Sequence, residues 1–130
     1  MIRFIVPFFL CVCALALMLL PGDGGLVHEA SWLLGGSELS DALGHVGLFC
    51  FLKMGWYWAL RPHRGIERAL VLSAAIAFAI GTTTEAAQGF LPSRGMSLLD
   101  FFANWLGATL FALPFAALWL VTRLRADAAV

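Results

Sequence analysis

The chain contains four apolar runs that are each about as long as a lipid bilayer is thick. They cover residues 4–20, 39–60, 66–90 and 98–121, and a transmembrane helix needs about 20 residues. The runs are too continuously apolar for membrane barrel strands, which alternate in polarity over about ten residues. Helices are the remaining way to satisfy backbone hydrogen bonds in lipid. We therefore predict an all-α, integral membrane four-helix bundle that forms a single domain over residues 1–130.

The charged residues are few, and the basic ones are unevenly placed. Of the 130 residues, 62% are hydrophobic and 12% are charged, whereas about a quarter of the residues of soluble domains are charged. Seven of the eight basic residues lie near three points, namely Arg3, then Lys53, Arg61, Arg64 and Arg68, then Arg123 and Arg125. The positive-inside rule places both termini and the loop between the second and third runs in the cytoplasm. Because Lys53 lies inside an apolar run, we expect its ammonium to reach the cytoplasmic headgroups.

Local signals predict how the helices begin, turn and bend. Residues 61–65 (RPHRG) predict a short turn, which would make the second and third helices antiparallel neighbours. Ser97, followed three residues later by Asp100, predicts an N-cap with an acidic first turn for the fourth helix. Pro114 predicts a kink within that helix.

Polar side chains occur at membrane depth near one end of the predicted bundle. They are Glu85, Gln88, Asp100 and Asn104, with Asp41 and His45 at the same end. Such residues are costly in lipid and indicate a functional site by default. Three of the four helices each offer a pair spaced three or four residues apart, so each pair shares one helix face. With the predicted topology this end faces the outside, where Arg94 could pair with a carboxylate or bind an anion.

These residue types allow several kinds of chemistry. The imidazole of His45 near Asp41 is suited to acid–base catalysis. His45, Glu85 and Asp100 could also bind a divalent cation, but no dedicated zinc pattern is present, so we predict no metal and keep the cation as an alternative. The chain has no P-loop, dinucleotide glycine pattern or G-x-S-x-G elbow. A helix cap explains Ser97 more simply than a nucleophile does.

A purely structural interpretation also remains open. Taken singly, Asn104 and Gln88 are typical of hydrogen bonds that hold membrane helices together. The functional interpretation depends on convergence, because three helices contribute acidic, basic and amide groups at one end of the bundle.

The order and spacing of these residues resemble the VanZ-like family of small bacterial membrane proteins. The matching segments are Asp41-Ala-Leu-Gly-His45, Glu85-Ala-Ala-Gln88, Pro92-Ser-Arg94, Ser97-Leu-Leu-Asp100 and Asn104-Trp-Leu-Gly107. The chain departs from the family pattern at Ala42, where a lysine is common, and at Phe49, where an aromatic hydroxyl often appears. The first change removes a charge partner for Asp41, and the second removes a hydrogen-bond donor near His45.

The resemblance implies a multi-pass protein of the bacterial inner membrane. The family is named for a member that raises resistance to the glycopeptide antibiotic teicoplanin, and an outward-facing site is compatible with cell-envelope substrates or with a lipophilic drug. We expect the site to recognise an amphiphilic envelope molecule, such as a lipid-linked precursor or a lipoglycopeptide, and processing of that molecule is a further alternative.

Roles can be assigned to the residues of this site as hypotheses. The candidate catalytic residues are His45, Glu85 and Asp100, and the candidate substrate-binding residues are Asp41, Gln88, Arg94, Ser97 and Asn104. We expect membrane lipids and the envelope ligand as partners, leave an oligomer open, and expect no nucleic acid. The rival hypotheses are a non-catalytic protein that binds or shields its ligand, and a structural membrane subunit.

Overall fold

The protein is helical throughout the part of the chain that the structure, a computed structural model, describes. That part comprises residues 2–19, 37–92 and 95–127, with side chains as far as residue 121. The helices are α1 (Ile2–Leu19), α2 (Glu38–Gln88), α3 (Leu98–Leu110) and α4 (Leu113–Asp127). The prediction of an all-α protein is confirmed.

Helix α2 contains a single non-helical residue, Gly65. Its backbone has φ 75° and ψ 174°, and glycine adopts a positive φ without the steric cost that a side chain would add. We call residues 38–64 the first arm of α2 and residues 66–88 the second arm. The predicted turn over 61–65 is wrong for residues 61–64, which stay helical.

The two arms of α2 lie antiparallel. His45 Nδ1 is 3.9 Å from Glu85 Oε1, and a Cβ placed on Gly81 would lie 3.1 Å from Phe49 Cε1. In each pair the two residues are equally far from residue 65 along the sequence, which is what a hairpin that folds back at that glycine requires. The hairpin brings the beginning and the end of α2 together, and we call this end of the molecule the polar end.

Helix α1 packs antiparallel along the first arm. The ring of Phe4 stacks on that of His63, with centroids 6.0 Å apart. About two turns along, Trp56 Nε1 donates a hydrogen bond of 3.2 Å to Cys11 Sγ. Because position 4 of α1 meets position 63 and position 11 meets position 56, α1 runs towards the polar end.

The predicted fourth helix, over 98–121, is divided into α3 and α4, which are bent by 42° relative to each other. The cause is Pro114, which has no N–H and whose ring clashes with the carbonyl four residues earlier, here that of Leu110. Helix α3 ends at that residue, and Ala112 N–H donates instead to Thr109 O at 2.8 Å. The predicted kink is confirmed, but the prediction of one continuous helix is wrong.

Helix α3 packs against both arms of α2. A Cβ added to Gly107 would overlap the backbone carbonyl of Val46 on the first arm. On the second arm, the ring of Phe78 stacks on that of Trp105, with centroids 4.6 Å apart. Small residues allow such close approach of helix backbones, and here the approach brings the start of α3 to the polar end.

Several polar residues lie inside the molecule beside its apolar core, and many large apolar residues lie outside. The buried polar or charged residues are Ser40, Lys53, Ser73, Thr84, Glu85, Gln88 and Asn104. The exposed large apolar residues include Leu39, Leu43, Phe51, Val71, Phe90 and Phe102. Helices α1 and α2 are long and apolar enough to cross a membrane, and the bent pair of α3 and α4 is a third candidate. These are the properties of a membrane protein.

Lys53 is an exception to the sequence-based expectation. Its side chain is only 2% exposed, so the prediction that its ammonium reaches the lipid headgroups is wrong. The reason is helical spacing, because Lys53 follows His45 and Phe49 at intervals of four residues and therefore lies on the same inward face of the first arm.

The contact between Gly107 and Val46 predicts that a methyl group added at position 107 destabilises the protein, whereas one added at position 47 does not. We expect Gly107→Ala to lower the free energy of unfolding by about 1–3 kcal/mol, the usual cost of overpacking, because the new Cβ overlaps a backbone carbonyl that cannot rotate away. Thermal unfolding of the purified protein in detergent micelles measures the change.

Gly47→Ala is the matched control, because a Cβ at Gly47 meets no atom within 4 Å. It should leave the melting temperature unchanged or raise it slightly, since alanine is the better helix former. Equal melting temperatures for the two variants would contradict the close packing of α3 on the first arm.

Candidate functional site

The centre of the polar end is a chain of hydrogen bonds through Asn104. His45 Nδ1–H donates to Asn104 Oδ1 at 2.8 Å, and Asn104 Nδ2 donates to Glu85 Oε1 at 3.4 Å. Asn104 is 1% exposed, so its amide joins α3 to both arms of α2 away from solvent. Because Oδ1 can only accept, the proton of a neutral His45 imidazole lies on Nδ1 in this arrangement.

The carboxylate of Glu85 is bound on both of its oxygens. Oε1 accepts from Asn104, and Oε2 accepts from the backbone N–H of Ser97 at 3.3 Å. Ser97 is the N-cap of α3, and its Oγ accepts from Asp100 N–H at 3.2 Å. The predicted N-cap is confirmed. An acidic group beside the first turn of a helix is favoured by the helix dipole, so the start of α3 stabilises the buried carboxylate.

His45, Glu85 and Asp100 form the tightest group of ionisable side chains at the polar end. One nitrogen or oxygen atom from each of the three side chains lies within 4.8 Å of the corresponding atoms of the other two. Glu85 is 1% exposed, while His45 and Asp100 are half-buried. The group therefore has one buried residue and two residues that reach the surface of the protein. We call it the acid–imidazole group.

Gln88 and Ser97, two of the predicted substrate-binding residues, are engaged in holding helices. Gln88 is 3% exposed, and its Nε2 donates to Met18 O of α1 at 2.8 Å. The Met18 carbonyl belongs to the last turn of α1, where carbonyls lack intrahelical partners. Gln88 thus caps α1, as an amide between membrane helices is expected to do, and Ser97 caps α3.

Of the remaining two predicted site residues, Asp41 lies outside the acid–imidazole group and Arg94 is not among the described residues. Asp41 is exposed on the first arm, one turn before His45, and is not a member of the group as the described side chains define it. Arg94 lies outside the described residues, so its predicted pairing with a carboxylate stays a prediction.

Thr84 and Lys53 are two of the buried polar residues that the sequence-based site left out. Thr84, next to Glu85, is buried and donates to the carbonyls of Ile80 and Gly81 in its own helix. Lys53 lies eight residues beyond His45, about 12 Å along the helix axis. His45, Phe49 and Lys53 follow one another at intervals of four residues, and this spacing was the signal that could have placed Lys53 inside the bundle.

The geometry does not provide for direct proton transfer between His45 and Glu85. His45 Nδ1 and Glu85 Oε1 are 3.9 Å apart, which is beyond hydrogen-bond distance. The group between them is the Asn104 amide, which orients its neighbours but does not readily release or take up a proton.

Comparisons with known proteins identify no relative of this chain. A scan against protein-family models, a search of curated proteins and a search of solved structures each found no match. The resemblance to the VanZ-like family consequently stays a prediction that depends on the spacing of the polar residues.

The hydrogen bond between His45 and Asn104 can be measured by a double-mutant cycle. We expect His45→Ala and Asn104→Ala to be coupled by about 0.6 kcal/mol, with about 1.7 kcal/mol as the upper end seen for hydrogen bonds between membrane helices. The free energy of unfolding of the wild type, both single variants and the double variant, measured in mixed micelles, gives this coupling.

Thr109 provides the control for this cycle. Its hydroxyl bonds only to carbonyls of its own helix, Trp105 O and Leu106 O, among the described residues, and the residue is exposed. A cycle with His45→Ala and Thr109→Val should show no coupling. A coupling as large as that with Asn104 would mean that the measured energy does not come from the hydrogen bond.

Proposed function

We propose that this chain is a VanZ-like, multi-pass protein of the bacterial inner membrane that recognises an amphiphilic molecule of the cell envelope. In this proposal the chain crosses the membrane four times, through α1, the two arms of α2, and the bent pair of α3 and α4. The basic residues near both termini and near Gly65 favour the cytoplasm for those points. The polar end then opens to the extracytoplasmic side.

The observation that carries the proposal is the buried carboxylate of Glu85 within 4.8 Å of ligand atoms of His45 and Asp100. Removing a charge from water is expensive, and a structural role can be met by neutral amides. Gln88 and Asn104 already join the helices here. Glu85 is the acceptor of the Asn104 amide, but a neutral amide oxygen could accept that hydrogen bond as well. The choice of two carboxyl groups therefore needs a further explanation, and binding of a ligand supplies one.

The chemistry of the acid–imidazole group favours a headgroup that is rich in hydrogen-bond donors. Carboxylates accept hydrogen bonds, and hydroxyl and amino groups of a sugar or peptide headgroup donate them. Leu98, Leu99 and Phe102 are exposed on α3 next to Asp100. An acyl or polyprenyl tail could lie along this apolar face while its headgroup enters the polar end, which fits a lipid-linked precursor or a lipoglycopeptide.

Two alternatives have support from particular contacts. A structural subunit is favoured by the Gln88–Met18 and Asn104–Glu85 hydrogen bonds. Processing of the ligand would use His45, Glu85 and Asp100 as acid–base groups, but the amide between His45 and Glu85 favours a non-catalytic binder over that alternative.

Isosteric removal of charge tests the proposal. Glu85→Gln and Asp100→Asn keep shape while removing the carboxylates, and we expect each to weaken binding of a lipid-linked peptidoglycan precursor or of teicoplanin by about tenfold or more, the loss of about 1.4 kcal/mol. Titration of each ligand into purified protein in nanodiscs, followed by tryptophan fluorescence, measures the affinity.

Glu67→Gln is the matched control, since Glu67 is exposed next to Gly65 at the opposite end from the acid–imidazole group. It should bind like the wild type. If all three variants bind equally well and are equally stable, the ligand site is elsewhere. If Glu85→Gln and Asp100→Asn lower stability while no envelope amphiphile binds even the wild type, the structural alternative is correct.

A further inference from the structure

The acid–imidazole group is compact enough to close around one metal ion. Metal bonds to histidine nitrogen and carboxylate oxygen are about 2.0–2.2 Å long, so neighbouring ligands of a tetrahedral ion lie about 3.4 Å apart. His45 Nδ1 lies 3.9 Å from Glu85 Oε1, and the group as a whole spans 4.8 Å. Closing the group around an ion requires shifts of about 1 Å, and His45 Nδ1 must exchange its hydrogen bond to Asn104 for the bond to the ion.

The side chains that must shift are the two that reach the surface of the polar end. His45 and Asp100 are half-buried, whereas Glu85 is buried and held by hydrogen bonds on both oxygens. One fixed ligand with two adjustable ones is a workable arrangement for taking up an ion from the surface of the polar end.

Charge balance also points to a cation. Glu85 and Asp100 bring two carboxyl groups to the polar end, and both are ionised when they ligate a cation. Over the described residues, which do not include Arg94, Lys and Arg side chains make no ion pair with either carboxyl group, and His45 Nδ1 lies 3.9 Å from Glu85 Oε1. A divalent ion would neutralise both charges at a place where water is largely excluded and the attraction is strong.

The surroundings of the ligands resemble those of built metal sites. Ligand side chains in such sites are usually oriented by hydrogen bonds from a second set of residues. Here Asn104 Nδ2 donates to Glu85 Oε1, and the Ser97 N–H donates to Glu85 Oε2. These bonds limit how the carboxylate can rotate, which lowers the entropy lost when an ion binds.

We propose that His45, Glu85 and Asp100 bind one divalent transition-metal ion, of the class of Zn²⁺ or Mn²⁺. An imidazole in the ligand set favours such ions over Mg²⁺ and Ca²⁺, which prefer oxygen ligands. Three protein ligands leave at least one coordination position for water or for an oxygen of a bound headgroup. The contribution to headgroup binding depends on the function proposed above, whereas the ion site depends on the geometry alone.

The test is ion binding by the full chain in nanodiscs without any envelope amphiphile. After treatment with EDTA and its removal, calorimetric titration with Zn²⁺ and with Mn²⁺ should give one ion per chain. We expect His45→Asn, Glu85→Gln and Asp100→Asn each to weaken this binding by tenfold or more. His63→Asn and Glu67→Gln make the same chemical changes at exposed positions near Gly65 and should bind like the wild type.

Cobalt substitution identifies the ligands independently of stability. Co²⁺ bound to the wild type should give a visible absorption spectrum that changes in His45→Asn and not in His63→Asn. An unchanged spectrum and stoichiometry in His45→Asn would overturn the proposal, because the ion would then be bound elsewhere, for example by the three free cysteines. Displacement of Zn²⁺ by a tenfold excess of Mg²⁺ would show that the His45 imidazole is not a ligand of the ion.

The two proposals fail in different ways. Envelope amphiphiles that bind in the presence of EDTA, to a chain that takes up no Zn²⁺ or Mn²⁺, would overturn the ion site and leave the proposed function standing. An ion that binds with the expected dependence on His45 and Asp100, to a chain that binds no amphiphile, would support the ion site and remove the proposed function.

Discussion

The arrangement of the polar end depends on the need of every polar group at membrane depth to find a partner inside the protein. Lipid offers no hydrogen bonds, so His45, Glu85 and Asn104 can be buried only together. The Asn104 amide meets this need because it both accepts and donates, towards His45 on one arm of α2 and Glu85 on the other. A single side chain of α3 thereby sets the register of the whole group.

That register is possible because of particular glycines. Gly65 reverses the chain midway between residues 45 and 85, which brings these two positions to the same level. Gly107 allows α3 to lie against the backbone of Val46, and the same approach brings Asn104 within reach of both arms. A side chain at Gly107 would move the helix away and lengthen the hydrogen bonds at the polar end, so packing and polar contacts support each other.

In the proposed function, structural and ligand-directed roles are divided among neighbouring residues. The amides of Gln88 and Asn104 and the hydroxyl of Ser97 satisfy helix ends and neighbouring side chains. The ionisable side chains of His45, Glu85 and Asp100 form a compact group with partial access from outside. The two sets are joined by hydrogen bonds, because Asn104 contacts both His45 and Glu85.

The sequence by itself determined the helical class, the N-cap at Ser97, the bend before Pro114 and the set of polar residues at one end, because each depends on local periodicity or on a residue's own backbone preference. The sequence did not determine which residues contact one another. The tertiary structure decided three things: the hydrogen bond from Gln88 to the Met18 carbonyl of α1, the position of Asn104 between His45 and Glu85, and the burial of Lys53. Helical spacing identifies which residues share a face, but only the packing of one helix on another determines what that face meets.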